Sequence, residues 1–274
     1  MEKLVVIPTY NERENISKMI SKVMSLEGGY HLLVVDDGSP DGTGAIVKER
    51  QAEFPDRLFL LERSGKLGLG TAYIEGFRWA LARPYDAVFE MDCDFSHNPD
   101  DLLRLTAELE AGADVAVGSR YSKGVTVVNW PMSRLLMSYC ASRYVRIVTG
   151  MPVCDATAGF VGYKREVLAA IDFDRIEMVG YGFQIEMKYT AWKMGFRIGE
   201  VPIIFADRTE GTSKMSGGIF GEAFWGVLKL PWRRIRPNLR RSVLRGAGPA
   251  VSNDRPEEIT VVALPGSVFL LCGR

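Results

Sequence analysis

Short apolar runs alternate along this chain with stretches whose apolar residues recur every three or four positions. Runs at 3–8, 31–36, 57–62, 86–91 and 113–118 have the length of buried strands, and helical spacing fills 12–26, 41–53, 69–82 and 99–111. In the first helix Ile16, Met19, Ile20 and Val23 share one face. The fourth has Asn98 at the capping position and Pro99 at the first helical one. This alternation predicts an α/β fold with a mainly parallel, Rossmann-like sheet and helices on both faces. Beyond residue 118 the pattern loosens into helices over 132–149 and 182–194, strands at 159–163 and 197–204, and a last amphipathic helix over 216–230. Composition shifts at Pro231. The expectation is a single domain over 1–232 and a poorly ordered tail over 233–274, rich in Arg, Pro, Gly and Asn before an apolar end at 259–271.

Several strands end in residues that bind rather than pack. The apolar run Ala87-Val88-Phe89 ends in Glu90-Met91-Asp92-Cys93-Asp94-Phe95-Ser96-His97, and a buried strand that stops in D-x-D carries carboxylates to the rim of a sheet. A hard divalent cation held there can also take a substrate's phosphates. The first strand ends in Pro8-Thr9-Tyr10-Asn11-Glu12 and the second in Asp36-Asp37-Gly38-Ser39-Pro40. That acidic pair either caps a turn or accepts a hydrogen bond from a nucleobase or ribose. Gly68-Leu69-Gly70 follows the third strand, but the dinucleotide fingerprint would need glycine at Tyr73, and no Gly-Lys-Ser/Thr of a P-loop occurs. Arg120 closes the fifth strand, where a guanidinium can pair with phosphate. Arg134 and Ser138 lie four apart on one helical face. Ligands of open parallel sheets sit outside the carboxyl ends of the strands, so these termini should converge on one crevice.

Composition narrows the picture. The chain has 274 residues, 47% hydrophobic, and zero formal net charge, so no global field favours nucleic acid. Four cysteines without C-x-x-C spacing predict neither a zinc knuckle nor a disulfide framework, which suits a reducing cytosol. No signal peptide is evident, and the apolar stretches fall short of the roughly 20 residues that span a bilayer. The expected protein is soluble or lies on a membrane surface.

Together IPTYNE, VVDDGSPDGT, GLGTAY, MDCDFSH, GSRY, NWP-x-x-R, DATAGF, GYGFQIEM and DRTEGTSKM resemble the polyprenol (dolichol) monophosphate mannose synthases of the inverting glycosyltransferase family 2, over about residues 3–230. The resemblance implies a GT-A-type fold. It implies that Pro8, Tyr10, Glu12, Val35 and Asp37 hold the nucleoside of a nucleotide-sugar donor. Cys93 and Asp94 would line the diphosphate-metal site, with Asp94 the principal ligand of Mg²⁺ or Mn²⁺ and Ser96 a second, directly or through water. Arg120, Arg134 and Ser138 would meet the phosphate of a polyprenyl phosphate acceptor, and Arg208 and Lys214 would clamp the donor diphosphate. Cys93 stands where alanine is usual, and Ser96 where some members have glutamine.

The expected activity is inverting transfer of mannose from GDP-mannose to polyprenyl phosphate. A UDP-glucose or UDP-N-acetylglucosamine donor, a saccharide acceptor, or a non-catalytic binding subunit stay open. An ionised lipid phosphate needs no general base, and none is evident. A membrane acceptor asks for peripheral contact at the cytoplasmic face. Helix 216–230, with Phe220, Phe224 and Trp225 beside Lys229, Arg233, Arg234 and Arg236, could supply it or pack on its own domain. A membrane partner protein is left open.

Overall fold

The computed structural model describes residues 1–206, 219–233 and 235. Five parallel strands follow the predicted runs: β1 (Lys3–Thr9), β2 (His31–Asp36), β3 (Leu58–Glu62), β4 (Ala87–Glu90) and β5 (Val115–Ser119). Helices α1 (Arg13–Met24), α2 (Thr43–Gln51), α3 (Leu69–Leu81) and α4 (Asp101–Glu110) connect them. A two-residue β6 (Val127–Val128) and the long α5 (Met132–Thr149) come next. Then follow β7 (Val161–Lys164), α6 (Arg165–Ala170), α7 (Tyr181–Lys193), β8 (Ile198–Pro202), β9 (Phe205–Ala206) and α8 (Ile219–Lys229).

Seven strands form one sheet in the order β3-β2-β1-β4-β7-β5-β8. All neighbours are parallel except β7, which runs antiparallel between β4 and β5. Along β1 and β2 the side chains alternate between two cores. Leu4, Val6, Leu33 and Val35 pack with α3, α6 and α7, while Val5, Ile7, Leu32 and Val34 pack with α1, α2 and α4. The sheet is therefore buried on both faces, as parallel sheets require.

Three expectations need correction here, and one element was not read from the sequence. The predicted strand 197–204 is two: β8 ends at Pro202, which lacks the amide a continuing ladder needs, and β9 leaves the sheet to pair with β6. The short helix α6 went unread, since six residues cannot display a helical period. Helix α4 begins at Asp101, because Asn98 Oδ1 accepts the Asp100 amide at 3.1 Å in a turn ahead of it. Arg233, assigned by sequence to a basic membrane cluster, instead pairs with Glu177 at 2.8 Å and with Glu186.

Helix α8 and the following single turn of 3-10 helix (Leu230–Trp232) pack on α5 and α7 through Val227 and Leu230, which join Val145, Ile185 and Tyr189 in a third core. Phe224, Trp225 and Trp232 are exposed. Arg234, the residues from 236 onward and 216–218 lie outside the described residues, as therefore does nearly all of the predicted tail.

Candidate active site

At the carboxyl ends of β1 and β2 the acidic pair divides its work. Asp36 caps the turn, accepting from Thr9 Oγ1 at 2.7 Å, Ser39 N at 2.9 Å and Ser39 Oγ at 2.6 Å. Asp37 turns the other way and meets Arg63 Nη1 at 3.0 Å; burial raises its carboxyl above the ordinary range against the pull of that arginine. Arg63, buried, also reaches Thr71 Oγ1 at 2.6 Å and so ties this edge to the glycine-rich start of α3. Gly68 begins α3 at φ 105°, a conformation open to glycine, and a Cβ there would collide with Val179. Tyr10, half-buried, lies 5.4 Å from Lys66 Nζ, and Glu12 precedes α1 with its amide donating to Thr43 Oγ1 at 3.0 Å. Pro8 pairs in register with Val35, whose side chain is fully buried in the core, so only its backbone can face a ligand.

Beyond β4 the D-x-D loop turns back through Phe95 at φ 59°. Asp94 is buried and accepts the Ser96 amide at 3.1 Å, and Ser96 Oγ, also buried, has no hydrogen-bond partner among the described residues. Cys93 departs from expectation: its side chain packs in the core with Met91 and Phe160, because alternation along the loop sends it away from Asp92 and Asp94. His97 is fully enclosed, stacked on Phe160 at 5.0 Å, with Nδ1 accepting the Asp92 amide at 3.3 Å. Burial pulls it down to about 4, so it is neutral and braces the loop.

A cavity of about 530 Å³ joins this loop to α5, α7 and α8. Asp92, Asp94, Ser96 and His97 of the loop line it together with Arg120, Arg134 and Ser138, and with the largely apolar Met137, Tyr144, Ile185, Phe224 and Val227 of α5, α7 and α8. Pro8, Tyr10, Glu12, Val35 and Asp37 are not part of its wall; they occupy the neighbouring rim at the ends of β1 and β2. Arg134 leans over the Trp130 ring at 4.1 Å, and Ser138 Oγ takes the Tyr121 hydroxyl at 2.8 Å, so the i, i+4 face read from sequence does reach one cavity.

Arg120 is more constrained than its place in the sequence suggests. Fully buried Asp155 accepts its Nε at 2.7 Å, Nη2 at 2.6 Å and backbone amide at 2.9 Å, and Thr157 Oγ1 accepts Nη2 at 2.8 Å. The Nε–Nη2 edge is thus occupied, which rules out bidentate capture of a phosphate on that edge. Burial alone would raise the Asp155 carboxyl; Arg120 outweighs it and holds the group below the usual range.

Sequence reasoning treated the 155–160 turn as architecture and gave Asp155 no role; only its place in a glycine-aromatic turn hinted at one. Nor did it single out Glu90 and Lys188, both fully buried. Burial pushes Glu90 up to about 8 and Lys188 down to about 8, and Lys188 Nζ donates to Ala158 O at 2.7 Å, supporting the same turn. Arg208 and Lys214 lie outside the described residues. Among those described, no three His, Cys, Asp or Glu side chains form a metal cluster, and no helix is long and apolar enough to cross a membrane.

The comparisons agree with this architecture. The family model for glycosyl transferase family 2 matches residues 4–172. Polyprenol monophosphomannose synthase of Mycolicibacterium smegmatis is 48% identical over 229 residues, 82% of this chain and 86% of that one. Undecaprenyl-phosphate mannosyltransferase of Micrococcus luteus is 46% identical, with 87% and 99% covered. Dolichol-phosphate mannosyltransferase of Pyrococcus furiosus is 35% identical, with 84% and 64% covered. Among solved structures, glucosyl-3-phosphoglycerate synthase of Mycobacterium tuberculosis with UDP aligns at TM-score 0.61 and 19% identity, covering 84% of this chain and 80% of that one. The same enzyme with Mn²⁺, UDP and glucosyl-3-phosphoglycerate aligns at 0.59 and 19%, with 84% and 78% covered. At that identity the likeness speaks for the GT-A-type fold. The chain belongs to glycosyl transferase family 2, as an enzyme of the branch that contains the polyprenol-phosphate mannose synthases.

Proposed function

We propose that this enzyme transfers mannose from GDP-mannose to a polyprenyl phosphate with inversion, giving a β-linked polyprenyl phosphate mannose. The observation that carries the reading is the cavity, whose wall combines two aspartates, two arginines with a serine, and an apolar set from α5, α7 and α8. A metal-bound diphosphate, an acceptor phosphate and an isoprenoid chain ask for those three kinds of surface. Names borne by relatives that share 46–48% of their residues with this chain support both the sugar and the lipid.

The donor set at the D-x-D loop suits a hard divalent cation. Asp94 and Asp92 offer carboxylates, and the buried Ser96 hydroxyl, without a partner among the described residues, adds a third oxygen. Such an ion, Mg²⁺ or Mn²⁺, would supply Lewis-acid stabilisation of the leaving diphosphate. His97 keeps the loop rigid through the Asp92 amide. Pro8, Tyr10, Glu12, Asp37 and the backbone of Val35 hold the nucleoside on the rim. Cys93 contributes through its backbone, and Arg208 and Lys214 neutralise the diphosphate. Arg120, aligned by Asp155, orients the acceptor phosphate with Arg134 and Ser138; an oxygen of that phosphate attacks the anomeric carbon from the face opposite the diphosphate, whose bond to that carbon breaks as GDP leaves. An ionised phosphate is already a nucleophile, which fits a site whose enclosed histidine is neutral and engaged.

Residues 1–232 form the catalytic domain in this reading and 233–274 a tail. In this reading the exposed Phe224, Trp225 and Trp232, and the exposed Met132, Leu136 and Met137 of α5, supply the apolar contact with the cytoplasmic leaflet; Met137 and Phe224 also line the cavity.

The test is transfer of radiolabel from GDP-mannose, UDP-glucose and UDP-N-acetylglucosamine to polyprenyl phosphate in detergent, with Mg²⁺, Mn²⁺ or EDTA. Metal-dependent lipid label from GDP-mannose alone is expected. Label from another donor refutes the sugar assignment, and none from any donor refutes the acceptor.

A further inference from the structure

Tyr121 follows Arg120 at the end of β5 and is 2% exposed. Its ring meets Tyr139 of α5 edge-on at 5.5 Å, and its hydroxyl donates to Ser138 Oγ at 2.8 Å. The turn that carries it is closed by Ser119 Oγ, which accepts the Tyr121 and Ser122 amides at 3.3 and 3.0 Å. Ser138 lines the cavity with Arg120 and Arg134, whereas Tyr121 is not part of its wall.

A serine hydroxyl has one proton to give and two lone pairs to offer. Helical hydroxyls often give that proton to the carbonyl one turn back, as Thr149 does to Val145 O at 2.7 Å and Ser21 to Ser17 O at 3.1 Å. Ser138 makes no such bond; among the described residues its hydrogen-bond partner is the Tyr121 phenol. The direction of that bond is set by Tyr121, whose buried hydroxyl has no other acceptor among them. Burial raises the phenol above its ordinary pKa against the pull of Arg120 and the bond to Ser138, so it keeps its proton at neutral pH. One lone pair of Ser138 is therefore filled, and its own proton is unspent.

We propose that Tyr121 is a positioning residue for an anionic phosphate: by filling a lone pair of Ser138 it commits the serine proton to the cavity, as a donor to a phosphate oxygen, and it ties α5 to the end of β5 so that this donor and the two arginines address one group. This rests on the proposed function, which puts the acceptor phosphate at Ser138. The class of ligand follows from the protons. Ser138 is left with one to give, and the guanidiniums of Arg120 and Arg134 have donors alone, so the three together suit a group that accepts and does not donate. An uncharged isoprenol, which brings a proton of its own, gains less from such a set.

The experiment compares wild type with Tyr121→Phe, which keeps the ring, with Ser138→Ala and with the double variant. The readouts are KM for polyprenyl phosphate and for GDP-mannose, the Kd for farnesyl phosphate and for farnesol by calorimetry without donor, and the melting temperature. Tyr121→Phe is expected to raise KM for polyprenyl phosphate and Kd for farnesyl phosphate by about threefold to tenfold, the worth of one ordinary hydrogen bond. Donor KM and farnesol affinity should not change. In the Ser138→Ala background the same substitution should cost no further phosphate affinity, because its effect runs through the serine. An unchanged Kd for farnesyl phosphate overturns the proposal. So does an equal loss with farnesol, or an undiminished loss in the Ser138→Ala background, as a general loosening of α5 would give. Should the double variant fail to fold, the comparison of farnesyl phosphate with farnesol in Tyr121→Phe decides. If wild type transfers no sugar to polyprenyl phosphate yet binds farnesyl phosphate, the functional reading fails and the calorimetry still tests Tyr121; if wild type does not bind farnesyl phosphate, the inference fails as well.

Discussion

Replacing Asp155 by asparagine should cost far more than its distance from the D-x-D loop in sequence suggests. Asp155 is fully buried and accepts three hydrogen bonds from Arg120, at 2.6, 2.7 and 2.9 Å. Asparagine keeps one acceptor oxygen, turns an NH₂ toward a guanidinium that has only donors, and removes the charge that balances it. Breaking a buried ion pair by removing one partner costs about 3–5 kcal/mol. In a domain of this size each kcal/mol lowers Tm by about 2–4 °C, so a fall of about 6–20 °C is expected. The loss should depend on pH. Arg120 holds the Asp155 carboxyl below its ordinary value, so between the folded and unfolded pKa the unfolded chain binds more protons and stability rises with pH. The gap between wild type and variant is therefore full above about pH 4, the unfolded value, and closes as pH falls through the lower folded pKa. Thermal melts from pH 3 to 8 measure it. Steady-state kinetics should show KM for the acceptor rising while KM for the donor stays put, because Arg120 loses its alignment and Asp94 does not. A Tm within about 2 °C of wild type at pH 7 would refute the reasoning.

Two further predictions concern packing and the membrane. Gly162→Ala places a Cβ 2.6 Å from Phe89 Cε1 inside the core and should destabilise by about 1–3 kcal/mol, whereas Gly199→Ala meets only the side chain of Glu108, from Cγ to the carboxylate, which can swing aside as a ring in the core cannot, and should cost less than Gly162→Ala, as chemical denaturation will show. Trp225→Ser and Trp232→Ser, at positions 64% and 80% exposed, should weaken flotation with anionic liposomes without lowering Tm; undiminished flotation of the double variant would remove α8 from the membrane face.

The parallel part of the fold was legible because β1 to β5 and α1 to α4 each bury one pattern of side chains against one neighbour, and a period of two or 3.6 records that directly. The carboxyl-end rule then placed Asp94 and Arg120 on one crevice, and the i, i+4 spacing brought Arg134 and Ser138 to it. What escaped depends on pairings distant in sequence. Nothing local distinguishes β7 as antiparallel, since its partners in β4 and β5 are 75 and 48 residues away at the pairs Val88↔Tyr163 and Val115↔Tyr163. Asp155 acts through Arg120, 35 residues earlier, and Glu90 and Lys188 meet only when α7 lies across the sheet. Cys93 and Val35 show the converse. The family pattern marks their positions for the donor, but alternation turns both side chains into the core, leaving the backbone as the only part that can serve.

The same geometry separates two arginines that the sequence treats alike. Arg120 is balanced by Asp155, so together they add no net charge to the cavity; what the pair offers is a fixed set of donors. Arg134 leans on the Trp130 ring, with its stem on a half-buried helical face, and adds charge where the acceptor phosphate is read to lie. Lysine can replace a charge but not a fork. Arg120→Lys should therefore lower Tm by several degrees and raise acceptor KM, because an ammonium cannot satisfy both Asp155 oxygens and Thr157 at once. Arg134→Lys should fold as wild type and keep much of its turnover, while Arg134→Ala should lose acceptor affinity and leave donor binding nearly intact. Rising salt should erode acceptor binding more in wild type than in Arg134→Ala, since the alanine has no charge left to screen. Equal damage from the two lysine substitutions, in both Tm and acceptor KM, would show that the two arginines do one job and that the Asp155 clamp does not set Arg120 apart.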